Sequence, residues 1–411
     1  MLVGLLLTLL AVGLPAAVVV WAVPSSTDHA LIPCRSFAWP VRRLRVGVGR
    51  TLAALAAWPH IVDVLLRVHR TPVATTPADV VLRLGNSTLS RYHGGRRGEP
   101  VLLVHSLVTR PWILDLAPGQ SLAAALVEAG FDVFLLDWGD PGREQALLGF
   151  DEHIRLLALA EDHVLQVTGE PRVHVVGYCA GGTLALMRSV MLSDDRLGSI
   201  TVIATPVDCT APGGMSRVLA SHVLKPVLAL DADGCVPAAA VREAFHMLSR
   251  RALRTVWYGL KGRRDPLRRH GYAALARWVW EQRRLGGAVL FDSVRMIREN
   301  TVVRAMGNGR SGAETRRRHE GLDPLPLLAC VAERDHIVPP AMTLALAEVE
   351  GIDVAVLRCK GGHVSMLSGS RAGRSLWADL AAWLRDHGAG DDGVELRGAA
   401  QREHRPSTAG W

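Results

Sequence analysis

One cysteine of this chain is framed by glycine, in Gly177-Tyr178-Cys179-Ala180-Gly181-Gly182. Val173-His174-Val175-Val176 before it reads as a buried strand, and a helix starts near Ala180, so Cys179 falls on a tight strand-to-helix turn. Glycines two positions before and after the turn residue let strand and helix approach closely, while the residue between them takes a strained backbone. The helix amino terminus beneath it adds a positive dipole of the kind that favours a thiolate. A sulfur so placed is a nucleophile for acyl transfer. The competing reading is a buried structural thiol beside a glycine turn, since Cys34, Cys209, Cys235, Cys330 and Cys359 stand outside any such frame.

A nucleophile of this kind needs a histidine base and an acid to orient it, and after such a turn the chain order is nucleophile, acid, histidine. Asp335 stands just after the apolar run Leu325–Val331, in Ala332-Glu333-Arg334-Asp335-His336-Ile337-Val338-Pro339. His363 stands after Val354–Leu357, in Gly361-Gly362-His363. Either residue alone signals little, because most Asp and His side chains are solvated or satisfied locally. Their arrival in order after Cys179 is harder to dismiss. Glu333 and His336 compete with Asp335 and rank lower, as Asp335 lies nearest the expected loop tip; Cys359 reads as packing. For the oxyanion, the backbone N–H of Ala180 would combine with that of Leu107 in Val104-His105-Ser106-Leu107, with His105 shaping the loop rather than acting as a base. No metal-ligand spacing is present, and the sequence does not reveal substrate-binding residues.

The surrounding pattern supplies the elements these residues need. Val80–Leu84 and Thr88–Tyr92 flank a Gly85-Asn86 turn and read as a hairpin. Val101–Val104, Val133–Leu136, Val173–Val176, Ile200–Ile203, Leu325–Val331 and Val354–Leu357 read as buried strands, with helices near Leu122–Ala129, over 151–167 and from Ala180. Strand–helix alternation predicts an α/β class fold: a mostly parallel central sheet with helices on both faces, in the α/β-hydrolase arrangement. Between 206 and 322 the alternation breaks into Trp- and Arg-rich helical patches (239–254, 271–285, 291–306), too long for a loop and expected to form a helical cap over the carboxyl edge of the sheet. The expected organisation is therefore 1–27 anchor, 28–72 basic amphipathic helical region, 73–205 first core part, 206–322 cap, 323–388 second core part and 389–411 disordered tail.

Leu2–Val23 carries no charge and would span about 33 Å as a helix, enough to cross a bilayer. Arg35, Arg42, Arg43, Arg45 and Arg50 follow it and place that flank in the cytoplasm. A cleaved signal peptide and an apolar hairpin packing on the protein or on an apolar particle are the alternatives. The 411 residues are 49% hydrophobic and 21% charged, which excludes a disordered chain. Net charge is +8, but only Lys225, Lys261 and Lys360 are lysines, and the arginines are interleaved with acids; a nucleic-acid surface is not expected. Six cysteines without a C-x-x-C pair read as reduced thiols.

His105-Ser106-Leu107-Val108-Thr109-Arg110-Pro111-Trp112-Ile113-Leu114-Asp115-Leu116 is similar to the signature before the first core helix of poly(3-hydroxyalkanoate) synthases. Phe134-Leu135-Leu136-Asp137-Trp138-Gly139, the Cys179 turn, Asp335-His336-Ile337-Val338-Pro339 and Gly361-Gly362-His363 follow in that family's order, with weaker matches at Thr205-Pro206-Val207-Asp208 and Arg298-Glu299-Asn300. The resemblance covers about residues 73–387 and is nearest to the class III catalytic subunits. It implies Cys179 as the acyl-bearing nucleophile, His363 as its base, and Asp335 as the group that orients His363 and assists an incoming hydroxyl. It further implies 3-hydroxyacyl-CoA as substrate with no separate cofactor, a growing polyester chain at a granule surface, and assembly with a second synthase subunit or as a homodimer. The cytoplasmic face of the cell membrane, through the amino-terminal segment, is the other expected location. Two features depart from the family: that apolar segment, and the Arg-rich stretch Arg250, Arg251, Arg254, Arg263, Arg264, Arg268 and Arg269, which reads as a solvated basic face or as a partner for CoA phosphates. A membrane-associated thioesterase or esterase using the same three residues is the alternative activity, and a scaffold with a degenerate site is the non-enzymatic one.

Overall fold

The apolar runs become strands because each is rich in β-branched and aliphatic residues, and the central ones are buried on both sides. The Val354–Leu357 run, expected to be buried, lies instead on the open edge of the sheet, where it has a neighbour on one side only. The computed structural model describes residues 68–94, 98–192, 194–210, 230–245, 266–307, 324–368 and 371–388. In chain order the strands are β1 (Ala78–Leu84), β2 (Ser87–Tyr92), β3 (Pro100–Val104), β4 (Asp115–Ala117), β5 (Gln120–Ser121), β6 (Asp132–Asp137), β7 (Val173–Tyr178), β8 (Leu197–Ile203), β9 (Cys235–Val236), β10 (Leu285–Gly286), β11 (Leu327–Ala332) and β12 (Ala355–Cys359). The helices are α1 (Leu122–Glu128), α2 (Phe150–Thr168), α3 (Ala180–Leu192), α4 (Pro266–Trp280), α5 (Gly287–Glu299), α6 (Thr301–Ala305), α7 (Pro340–Leu344) and α8 (Arg371–Asp386).

Eight strands form one sheet in the order β1-β2-β6-β3-β7-β8-β11-β12. The β1–β2 hairpin and its junction with β6 are antiparallel, and every pairing from β6 to β12 is parallel. Burial follows topology: β3, β7 and β11 are buried at every residue, whereas the edge strand β12 is largely open. Helices α1 and α8 pack together, as do α2 and α3. The α/β architecture expected from the strand–helix alternation is the one observed.

This topology brings the ends of β3, β6, β7, β8, β11 and β12 to one edge. Loops following these strands carry His105, Trp138, Cys179, Thr205, Asp335 and His363, so residues scattered over 258 positions share the carboxyl end of one sheet.

The helical patches differ in detail from the expected ones. The helix expected over 271–285 is α4, which starts at Pro266 and ends at Trp280. Arg283 and Arg284 leave it to reach Asp137 and Asp231, and Leu285-Gly286 pairs with Cys235-Val236. The patch expected over 291–306 begins at Gly287 and is divided at Asn300, whose φ is 49° and whose side chain turns away to accept from Cys209 N–H (2.9 Å) and donate to Asp208 (2.9 Å). Residues 238–245 are helical, and the rest of the 239–254 patch lies outside the described residues. So do Leu2–Val23, 28–67 and the 389–411 tail, as well as Arg250, Arg251, Arg254, Arg263 and Arg264. No helix among the described residues is long and apolar enough to cross a membrane.

Candidate active site

Cys179 has a φ of 54°, a left-handed backbone that costs a non-glycine residue energy and holds its side chain off the line of strand and helix. The turn is fixed on both sides: Cys179 N–H donates to Ile203 O (2.9 Å) on the neighbouring strand, and Cys179 O accepts from Gly182 N–H (3.0 Å). The glycines are there for contact. A Cβ on Gly177 would fall on the Gly182 backbone, and one on Gly181 would fall on the carbonyls of Val104 and His105. Gly181→Ala is therefore expected to cost about 1–3 kcal/mol of stability and to displace the turn, lowering both the melting temperature and acylation of Cys179. A variant melting like the parent would show that the approach is not tight.

Asp335 N–H donates to Ala332 O (3.0 Å), turning the chain directly after β11, and Oδ1 then accepts from the N–H groups of Ile337 and Val338 (2.9 Å each). The other oxygen, Oδ2, lies 2.7 Å from His363 Nδ1, whose N–H donates to it. The two loops are tied together by backbone bonds from Glu333 N–H to Cys359 O (3.0 Å) and from Arg334 N–H to Gly361 O (2.8 Å). Both side chains are buried, His363 at 6% exposure and Asp335 at 1%. Glu333 and His336 are exposed to solvent.

Burial by itself would lower the pKa of His363, but the Asp335 carboxylate outweighs it by charge and hydrogen bond, and the Cys179 thiol adds to the effect. The result is an imidazole pushed up to about 10. The same ring therefore senses Asp335 and Cys179 together. The Asp335 carboxylate thus favours the protonated ring, which helps a proton pass from a thiol to the imidazole. Burial pushes the Cys209 thiol to about 12 and the Cys359 thiol to about 11. The five described cysteines are free thiols, and no cluster among the described residues could hold a metal ion.

The His105-Ser106-Leu107 loop lies against the turn through Gly181, and Trp138 Nε1–H donates to His105 O (3.0 Å). His105 is wholly buried, and burial followed by the charge of Arg283 pushes its pKa down to about 3, so the ring is neutral. Two neighbours were not legible beforehand. Tyr178 packs its ring 5.1 Å from that of His363, and Arg283 grips Asp137 from outside the sheet. Tyr178 is the variable position of the glycine frame, and Arg283 lies 146 residues from its partner, so neither carries a local signal.

A sheet of this order, with a nucleophile turn after β7 and an acid–histidine pair after β11 and β12, defines the class. The alpha/beta hydrolase family model matches residues 101–374, and the chain belongs to that family. It is similar to the poly(3-hydroxyalkanoate) polymerase subunit PhaC of Synechocystis sp., at 28% identity over 300 residues, 70% of this chain and 78% of that protein. The subunit of the same name from Allochromatium vinosum is 25% identical over 338 residues, 78% of this chain and 92% of its own length. The resemblance to poly(3-hydroxyalkanoate) synthases carried by the motifs thus extends over most of the chain, and the chain is an enzyme. Among solved structures, the monoacylglycerol lipase of Paleococcus ferrophilus aligns over 73% of this chain and 98% of its own, with 18% identity and a TM-score of 0.46.

Proposed function

We propose that this enzyme is an acyltransferase of the polyhydroxyalkanoate synthase type, which moves 3-hydroxyacyl groups from CoA to Cys179 and onward into a polyester. The observation that carries the reading is a sulfur, rather than an oxygen, at the nucleophile turn of an alpha/beta hydrolase, within the field of the His363–Asp335 pair. His363 takes the thiol proton, the sulfur attacks the thioester carbonyl, and the backbone N–H groups of Leu107 and Ala180 receive the oxyanion. The tetrahedral intermediate expels CoA sulfur, which leaves with the proton held on His363. One thioester replaces another, so the step is nearly isoenergetic and the acyl group stays reactive. In the next step a 3-hydroxyl gives its proton to His363 and attacks the Cys179 thioester, an oxygen ester forms, and the Cys179 sulfur leaves and takes that proton back from His363. Asp335 assists that hydroxyl through His363, since its own oxygens are spent on the imidazole and on two backbone amides.

Cys179 is 8% exposed, which suits a thioester that must be kept from water. Acyl-CoA serves as substrate and no separate cofactor enters. The polyester granule surface is the proposed site of action, with the apolar Leu2–Val23 segment as the device that would hold the enzyme there or at the cytoplasmic face of the cell membrane. A second synthase subunit or a second copy of this chain is the proposed partner.

The test is to incubate purified full-length protein with 3-hydroxybutyryl-CoA, then measure CoA release and weigh the product. CoA release with enzyme-bound oligomer or polymer is expected. Free monomeric acid would instead assign a thioesterase, and no turnover would leave a scaffold.

A further inference from the structure

Where β6 ends, Asp137 and Trp138 lie beside the loop that follows β3, because the two strands pair in register from Pro100↔Asp132 to Val104↔Leu136. Trp138 holds that loop by its backbone, donating to His105 O. Asp137 faces it by charge, with Oδ1 3.9 Å from His105 Nε2. The carboxylate is itself held by an arginine from the 206–322 stretch. Arg283 Nη2 donates to Asp137 Oδ2 (3.0 Å), while Nη1 donates to Asp137 Oδ1 and to Gly139 O (3.1 Å). A bidentate fork of this kind fixes orientation as well as distance. Arg283 is 5% exposed and His105 0%, while the Asp137 carboxylate between them is 28% exposed, so the contact is only partly screened by solvent.

We infer that Arg283 is a positioning residue for the oxyanion loop: through Asp137 and Trp138 it sets His105-Ser106-Leu107 against the Cys179 turn. The inference rests on the acyl-transfer reading of the site but not on what accepts the acyl group. The loop packs closely on Gly181 through the carbonyls of Val104 and His105, and an imidazolium at His105 would be drawn toward Asp137. The charges around His105 are few. Burial opposes its protonation most, Arg283 adds to that, and Asp137 works the other way. Asp140 lies beyond, 3.7 Å from Arg283 Nε and paired with Arg110 (2.8 Å), and His153 lies across the Trp138 ring. Removing Arg283 leaves the Asp137 carboxylate unopposed, so His105 gains a proton at higher pH than before.

The experiment compares the full-length protein with Arg283→Gln, Arg283→Lys and the double variant Arg283→Gln/Asp137→Asn. Two rates are read: single-turnover acylation by 3-hydroxybutyryl-CoA, and alkylation of Cys179 by iodoacetamide, in which the same sulfur displaces iodide and no oxyanion forms. For Arg283→Gln, kcat for acylation is expected to fall on the order of 10–100-fold with KM little changed, while alkylation keeps its rate. The acylation profile should also gain an acid limb absent from the parent. That limb should vanish in the double variant, which lacks the carboxylate that would hold the proton on His105, and Arg283→Lys should recover part of the rate. Acylation and alkylation falling together would overturn the inference, as would an unchanged acylation rate or an acid limb that survives in the double variant. Repeating the series with p-nitrophenyl butyrate separates the two readings. A parent chain that releases nitrophenol but no CoA loses the synthase assignment, yet still tests Arg283.

Discussion

Cys179→Ala is expected to reduce CoA release from 3-hydroxybutyryl-CoA by on the order of 10⁴-fold or more, the largest loss any single substitution in this chain should produce. In the proposed reaction Cys179 is the one group that makes a covalent bond, so what survives its removal is only the background supplied by the oxyanion loop and substrate binding. The substitution is also mild toward the fold. Alanine occupies the same left-handed backbone as cysteine, makes the same backbone bonds to Ile203 and Gly182, and removes one sulfur atom. Intact-mass measurement checks the result directly: the parent should gain acyl increments on exposure to substrate and the variant none. Cys179→Ser should behave differently again, since an oxygen ester at residue 179 is more stable than the thioester it came from. It should accept one acyl group and stall. An alanine variant that still releases CoA at a tenth of the parental rate would remove Cys179 from the reaction.

Asp335→Asn is expected to lower turnover roughly 10³–10⁴-fold while leaving the chain folded. The amide oxygen can still accept from Ile337 and Val338, so the loop keeps its shape. Its NH₂ group then faces His363 Nδ1, where a carboxylate had accepted. The imidazole turns to the other tautomer and presents N–H, rather than a lone pair, to the sulfur. It can no longer take the thiol proton. The charge of Asp335 is also what overcomes burial and raises His363, so the variant's imidazole falls well below about 10. The sign for stability follows from linkage. His363 has a folded pKa above its ordinary value of about 6.5, so its contribution to stability is fully present below pH 6.5 and is lost as pH rises through 10. Asp335→Asn should flatten that part of the decline, and melting temperatures of parent and variant measured from pH 6.5 to 10 should converge as pH rises. Curves that stay parallel over this range would mean that Asp335 does not hold the proton on His363.

Much of the site was legible because its chemistry is written over short spans. The strand run Val173–Val176, the spacing of Gly177 and Gly181 and the helix behind them dictate a turn at Cys179, since close approach of two backbones depends only on the absence of a Cβ at those positions. That the strands around it run mostly parallel follows from their alternation with helices, whereas their order in the sheet is seen only in the structure. The choice among Glu333, Asp335 and His336 had weaker support, as all three sit on one loop. It is decided by the two amides of Ile337 and Val338 that capture Asp335 Oδ1 and turn Oδ2 toward His363, leaving the other two side chains in solvent.

By itself, then, the amino-acid sequence determined the glycine-framed turn at Cys179, the alternation of strands and helices and the chain order in which Asp335 and His363 follow, all of which rest on local sterics and periodicity. Only the tertiary structure decided that α4 stops at Trp280 so that Arg283 can reach Asp137, that Tyr178 lies against His363, and that Trp138 holds the carbonyl of His105. Each of these is a contact between segments far apart in the chain. A buried polar group takes whichever partner packing delivers to it, and no pattern of neighbours along the sequence encodes that partner.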